Sequence, residues 1–118
     1  MRATALTFAL SLTAATTATP LNAAELVLFE FDGCLWCEQW KSDVGTYYAE
    51  TAEGQAAPLR VVDLFDKRPA HLRRLRPVRA TPTFVLVDEG REIGRITGYT
   101  DAKAFWTDYG KMLANPER

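Results

Sequence analysis

Thiols, imidazoles and thioethers are scarce in this chain: of 118 residues, two are Cys, one is His and two are Met. A structural zinc site needs four ligands, and Cys34, Cys37 and the single distant His71 do not supply them. A disulfide-dense scaffold needs several bridges, and two cysteines allow one. Charge of one sign is also missing. Fourteen Lys and Arg stand against fifteen Asp and Glu, which provides no electrostatic footprint for nucleic acid or an anionic membrane. The uncharged apolar run from Ala3 to Ala15 is too short, and too rich in Ala and Thr, to span a bilayer comfortably. There is no internal repeat, no low-complexity tract and no second domain.

What the chain does have is a single Cys-x-x-Cys, Cys34-Leu35-Trp36-Cys37, between an apolar segment and an amphipathic one. That spacing puts one sulfur at the first turn of a helix, where unpaired N–H groups and the helix dipole favour a thiolate. The second sulfur lies one turn on, close enough to close a disulfide with the first. As a structural staple the pair is poorly placed. On the loop-entropy model a four-residue loop contributes about 1.9 kcal/mol, against about 3 for fifteen residues. The pattern reads as a redox pair, with Cys34 the attacking thiolate and Cys37 the resolving thiol. Lowering a thiol's pKa raises its thiolate fraction and lowers its nucleophilicity, so the gain in attack is small and the gain as a leaving group larger. Carriage of Cu(I) on two soft thiolates is a different use of the same pair, though no His or Met stands beside it. A binding module without redox activity is a third. Trp36 is either a packing residue or an apolar lip that contacts a partner. His71, far from the pair in sequence, reads as a surface or helix-end residue.

Residues 1–24 have the form of a secretory signal: Arg2 as a basic start, the apolar run, then Leu21-Asn22-Ala23-Ala24 offering cleavage after Ala23 or Ala24. Export implies a compartment where disulfides persist. Residues 25–118 then form one domain with a modest core.

Along that domain, Glu25 to Phe31 reads as a strand ending at the turn Asp32-Gly33. Cys37, Trp40, Val44 and Tyr47 or Tyr48 recur at spacings of three and four, the stripe of a helix from Leu35 to about Tyr48. Thr51 to Pro58, with Gly54, reads as a loop. Leu59 to Leu64 is a second strand, parallel to the first because a helix crosses over between them. Asp66 to Pro77 carries a short helix around His71 to Leu75. Thr83–Val87 and Glu92–Thr97, joined through Asp88-Glu89-Gly90, read as a hairpin. A last helix runs from Asp101, its N-cap, to Leu113, with Ala102, Phe105, Trp106, Tyr109, Met112 and Leu113 on one face. Helices on both faces of a four-stranded mixed sheet, βαβ then ββα, satisfy every apolar stripe. The basic run Lys67, Arg68, His71, Arg73, Arg74, Arg76, Arg79 is either a solvated face or a docking patch for an acidic partner.

This order, with Cys-x-x-Cys opening the first helix and Thr81-Pro82 opening the third strand, resembles the thioredoxin family over nearly the whole domain. The resemblance implies an α/β, thioredoxin-like fold in which Pro82 is cis and lies against the disulfide. It also implies that the backbone of Thr81 stays free to pair with an extended substrate segment beside Cys34. Two features depart from ordinary cytosolic thioredoxins. There is no Trp-Cys-Gly-Pro-Cys, and the acid which that family buries six residues before its first cysteine is Leu28 here; the nearest acids are Glu30, Asp32 and Glu38. Finer detail is similar to SoxS-type proteins, small periplasmic thioredoxins of bacterial sulfur-oxidation systems. It lies in Gly33 to Cys37 with Trp40, Glu53-Gly54 with Ala57-Pro58-Leu59, Thr81 to Val87, Gly94-Arg95 with Gly98-Tyr99, and Phe105-Trp106. That likeness implies a periplasmic protein that reduces the cysteine of a sulfur-carrier protein, using no cofactor beyond its own disulfide; the chain's size allows a monomer. It also implies electrons from a membrane thiol donor. Leu-Trp between the cysteines does not fix the direction of electron flow, so disulfide oxidase or isomerase stays open.

Overall fold

The computed structural model describes residues 2–7, 9–15 and 24–115. The proposed signal sequence falls partly on residues outside these, including Leu21 to Ala23 at its cleavage site. From Ala24 the chain runs β1 (Ala24–Glu30), α1 (Leu35–Trp40), a π-helical turn (Lys41–Gly45) and a 3-10 turn (Tyr48–Glu50). It continues through α2 (Ala52–Ala56), β2 (Leu59–Asp63), a second 3-10 turn (Ala70–Leu72), β3 (Thr83–Asp88), β4 (Arg91–Thr97) and α3 (Ala102–Leu113). The sheet order is β2-β1-β3-β4. β1 and β2 are parallel; β3 pairs antiparallel with both β1 and β4. This is the expected mixed sheet in βαβ–ββα order.

β1 and β3 occupy the centre, and their sequences show why. Successive side chains on a strand point to opposite faces, and both strands are apolar on both faces through their middle residues, 26–29 and 84–87. Leu26, Leu28, Phe84 and Leu86 face one way, into a core with Trp40, Val44, Tyr48, Phe105 and Tyr109 from the helical layer. Val27, Phe29, Val85 and Val87 face the other way, against Val62, Leu72 and Leu75. Asp101 caps α3, accepting the Ala104 N–H at 2.8 Å.

Three expectations from the sequence need correction. The helix expected from Leu35 to Tyr48 is regular only to Trp40; Thr46 N–H then reaches back five residues to the Lys41 carbonyl at 3.0 Å. The wider turn still buries Val44, and the stripe ends on Tyr48 rather than Tyr47. The segment from Thr51 to Pro58 is not all loop. Thr51 Oγ1 accepts the Gly54 N–H at 2.9 Å and opens α2, where Gly54 is required because a Cβ there would collide with the Tyr48 carbonyl oxygen. Among the described residues, the second face of the sheet carries no full helix. The segment around His71 makes a single 3-10 turn, and its carbonyls are taken by arginines from elsewhere: Arg68 donates to Leu75 O at 2.8 Å, and Arg95 to Pro77 O at 2.9 Å.

A bulge sets up that second contact. Between Leu86 and Val87 the register slips, so that Gly94 lies opposite Leu86 and Glu92 opposite Val87, with Ile93 extra. Residues three apart on a regular strand point to opposite faces; the inserted residue restores Glu92 and Arg95 to one face. There they pair at 2.6 Å, and Arg76 joins Glu92 at 2.6 Å. Burial alone would raise the Glu92 carboxyl, but the bonds from Arg95 and Arg76 outweigh it and hold the carboxyl below the usual range. This clamp, with Glu92 and Arg95 mostly buried and Arg76 exposed, anchors the chain that leads to Thr81.

Candidate active site

The turn after β1 uses Gly33 at φ +90°, a conformation that favours glycine, to deliver Cys34 as the N-cap of α1. Cys34 and Cys37 form a disulfide with Cα atoms 5.2 Å apart. Both cysteines are buried, Cys34 at 6 % exposure and Cys37 completely; they differ in the hydrogen bonds their sulfurs accept. Cys34 Sγ accepts two hydrogen bonds: the Cys37 N–H at 3.2 Å and the Thr81 hydroxyl at 3.3 Å. Both donors would strengthen toward a thiolate, and both sit on the same sulfur. Two donors therefore converge on Cys34 Sγ, an arrangement that would favour a thiolate there.

Thr81 comes from the other half of the domain. Its peptide bond to Pro82 is cis. The β3–β4 ladder begins at Thr83, Gly98 N–H takes the Pro82 carbonyl at 2.8 Å, and among the described residues none pairs with the backbone N–H or C=O of Thr81. Leu35 and Trp36 stand out from the helix turn at 81 % and 58 % exposure. Trp36 is therefore not packed into the core. Beyond it lies a groove of about 390 Å³ bounded by Thr81, Pro82, Thr97, Tyr99 and Phe105. Phe31 and Phe65, just past the ends of β1 and β2, present an exposed, tilted ring pair 5.8 Å apart. Leu35, Phe31 and Phe65 were not singled out from the sequence. An exposed apolar residue looks the same in sequence as a buried one, and only the placement of strand ends distinguishes them.

Of the three acids nearest the pair, two are engaged elsewhere. Glu30 and Glu38 both bind Lys41, whose ammonium is held above its ordinary range by the Glu30 bond first of all, against the opposing effect of burial. Asp32 makes no hydrogen bond or ion pair with any described residue, and Leu28 is fully buried where cytosolic thioredoxins carry an acid. His71 lies away from the site, its Nε2 2.6 Å from Glu25, which also binds Arg60. Among the described residues no three His, Cys, Asp or Glu cluster as a metal site.

This arrangement is that of a dithiol–disulfide exchanger, and the comparisons agree. The chain belongs to the thioredoxin-like domain family, whose model matches residues 13–112, and it is a thiol–disulfide oxidoreductase of that class. It is 37 % identical to the periplasmic thioredoxin SoxS from Paracoccus pantotrophus, solved in reduced form; the match covers 78 % of this chain and 97 % of that one with a TM-score of 0.75. Thioredoxins from Fasciola hepatica (21 % identity, covering 80 % and 82 %, TM-score 0.58) and Halobacterium salinarum (a point mutant; 25 %, 77 % and 75 %, 0.56) share the fold at greater distance. No curated protein matches the chain.

Proposed function

We propose that the mature chain is a periplasmic reductant of protein disulfides, acting on the cysteine of a sulfur-carrier type of partner and recharged by a membrane dithiol donor. The observation that carries the exchange chemistry is the asymmetry of hydrogen bonding in the pair: the Cys37 N–H and the Thr81 hydroxyl both donate to Cys34 Sγ. The direction of electron flow and the compartment draw support from the likeness to a periplasmic thioredoxin. Ala24 is buried and pairs with Asp88 as the first residue of β1, which favours cleavage after Ala23 over cleavage after Ala24.

In the reaction a partner segment pairs with the free backbone of Thr81, and its disulfide meets Cys34. The Cys34 thiolate attacks one sulfur, forming a mixed disulfide and expelling the other as a thiolate. Cys37, giving up its proton, attacks Cys34 Sγ and releases the second partner thiol. Two electrons pass to the partner, and the protein is left with the Cys34–Cys37 disulfide. The donor reverses these steps. No bound cofactor enters, and a monomer suffices.

A second reading has its own observation. Two hydrogen bonds onto one sulfur stabilise the reduced form and so push toward disulfide donation. A redox titration of the couple against glutathione or dithiothreitol, followed by Trp fluorescence, decides between them. A potential at or below about −230 mV supports the reductant, and one near about −120 mV makes the protein an oxidase. With no reversible two-electron transition, the pair belongs to Cu(I) carriage or to structure. Cys37→Ser should trap the partner as a mixed disulfide on Cys34.

A further inference from the structure

Beside the turn that carries Thr81 lies a second groove, of about 380 Å³, whose lining includes Arg76, Arg79 and Arg95 together with Ala80, Thr83 and Thr97. Thr97 lines this groove and the one at the disulfide, so the two adjoin. No acidic residue lines the arginine groove. Glu92 is shared between Arg76 and Arg95, and one carboxylate cannot neutralise the arginines around it.

The arginines differ in what they have left to offer. Arg95 is spent on the fold, its Nε and both terminal nitrogens bound to Glu92 and to the carbonyls of Arg76 and Pro77. Arg76 directs Nε and one terminal nitrogen to Glu92. Arg79 is exposed and makes no hydrogen bond or ion pair with any described residue, so the fold does not account for it. Its planar fork of donors matches a carboxylate two bonds at a time.

We propose that Arg79, on the floor fixed by Arg76 and Arg95, reads an acidic side chain flanking the partner's cysteine. The protein is thereby selective for disulfides carried on Asp- or Glu-bearing segments. This rests on the exchange reaction described above. A segment extended along Thr81 advances about 3.3 Å per residue, and Arg79 is two residues from Thr81. The acid therefore belongs about two to four residues from the partner's cysteine. The chain's own net charge is −1, so its overall field does not favour an acidic partner; any preference must come from the groove.

The test uses reduced protein and two disulfide-linked peptides that differ only in Glu or Gln at the second to fourth positions on both sides of Cys, followed by Trp fluorescence at low and high salt. The acidic peptide should react about three- to fivefold faster, the range exposed ion pairs support, and the ratio should fall toward one in high salt. Arg79→Gln should bring the ratio close to one, and Arg79→Glu should bring it below one. Arg74→Gln, an exposed arginine outside the groove lining, should keep the wild-type ratio. Equal rates for the two peptides with wild-type protein would overturn the inference while leaving the exchange reaction standing. So would a preference that survives Arg79→Glu. If neither peptide is reduced, the reductant reading itself fails and takes this inference with it.

Discussion

Thr81→Val isolates one of the two hydrogen bonds on Cys34 Sγ. Valine keeps the shape and β-branching of threonine and removes only the hydroxyl that donates to Cys34 Sγ at 3.3 Å. In the disulfide that bond ends on a neutral sulfur and is weak. In the reduced protein it ends on a thiolate, and hydrogen bonds to charged groups contribute about 1.5–3 kcal/mol when well made. The site is half-buried and sulfur is a diffuse acceptor, so the differential between the two redox states should be about 1 kcal/mol. Loss of that term disfavours the reduced form. With about 30 mV per 1.4 kcal/mol, the couple should become more reducing by about 20 mV, and the thiolate absorbance of Cys34 should appear at higher pH. Both are read without a protein substrate, by glutathione or dithiothreitol titration and by absorbance near about 240 nm, so a change in docking cannot imitate them. Thr81→Ser keeps the donor and should stay near wild type. A potential in Thr81→Val that is unchanged within about 5 mV, or that moves in the oxidising direction, would refute the assignment of Thr81 as a stabiliser of the thiolate.

Gly54→Ala drives a methyl group into the Tyr48 carbonyl oxygen, which is backbone and cannot swing aside. It should cost about 3 kcal/mol and lower the melting temperature by more than about 10 °C; a melt within about 2 °C of wild type would show that α2 shifts freely. Tyr48→Phe removes the hydroxyl that serves the Ala57 carbonyl at 2.6 Å and the Tyr109 hydroxyl at 2.7 Å, and urea unfolding should register a loss of about 1–3 kcal/mol. Glu92 has its folded-state pKa lowered by Arg95 and Arg76 against the opposing effect of burial. Its contribution is therefore present above the unfolded value, about 4.3, and is lost as pH falls through the folded value. Glu92→Gln should be less stable than wild type at pH 7, with the gap in urea midpoints narrowing on acidification; a gap independent of pH would remove the ion pairs from the account.

The features legible in sequence were those written in adjacent residues. Cys34 to Cys37 declared the exchange chemistry, the apolar runs of β1 and β3 declared central strands covered on both faces, and Asp101 declared the start of α3. The features that were not legible depend on groups far apart in the chain. Gly54 read as a breaker because glycine disfavours helix locally, whereas the helix needs it to pass under the Tyr48 carbonyl. A wide turn after Trp40 leaves the spacing of Trp40, Val44 and Tyr48 intact, so the stripe could not reveal it.

The basic run shows the same division within a single segment. Seven positively charged or titratable residues, Lys67 to Arg79, looked equivalent in sequence. Folding separates them. Arg68 satisfies carbonyls, Arg76 enters the Glu92 clamp and His71 pairs with Glu25. The partner of Arg76 faces it only because one extra residue in β4 reverses the parity of the strand. Charge used in this way is structural: substituting Arg76 or Arg68 would alter the path of the chain into Thr81 before it altered any encounter with a partner. Arg79 is on the same run, stands two residues from the site and has no such task. A charge that the fold leaves unspent two residues from Thr81, in a groove adjoining the first, is the place where selectivity can be changed without moving the chemistry. Exchanging Arg79 should therefore alter which disulfides are reduced while the reduction potential of the Cys34–Cys37 couple stays where Thr81 and the Cys37 N–H set it.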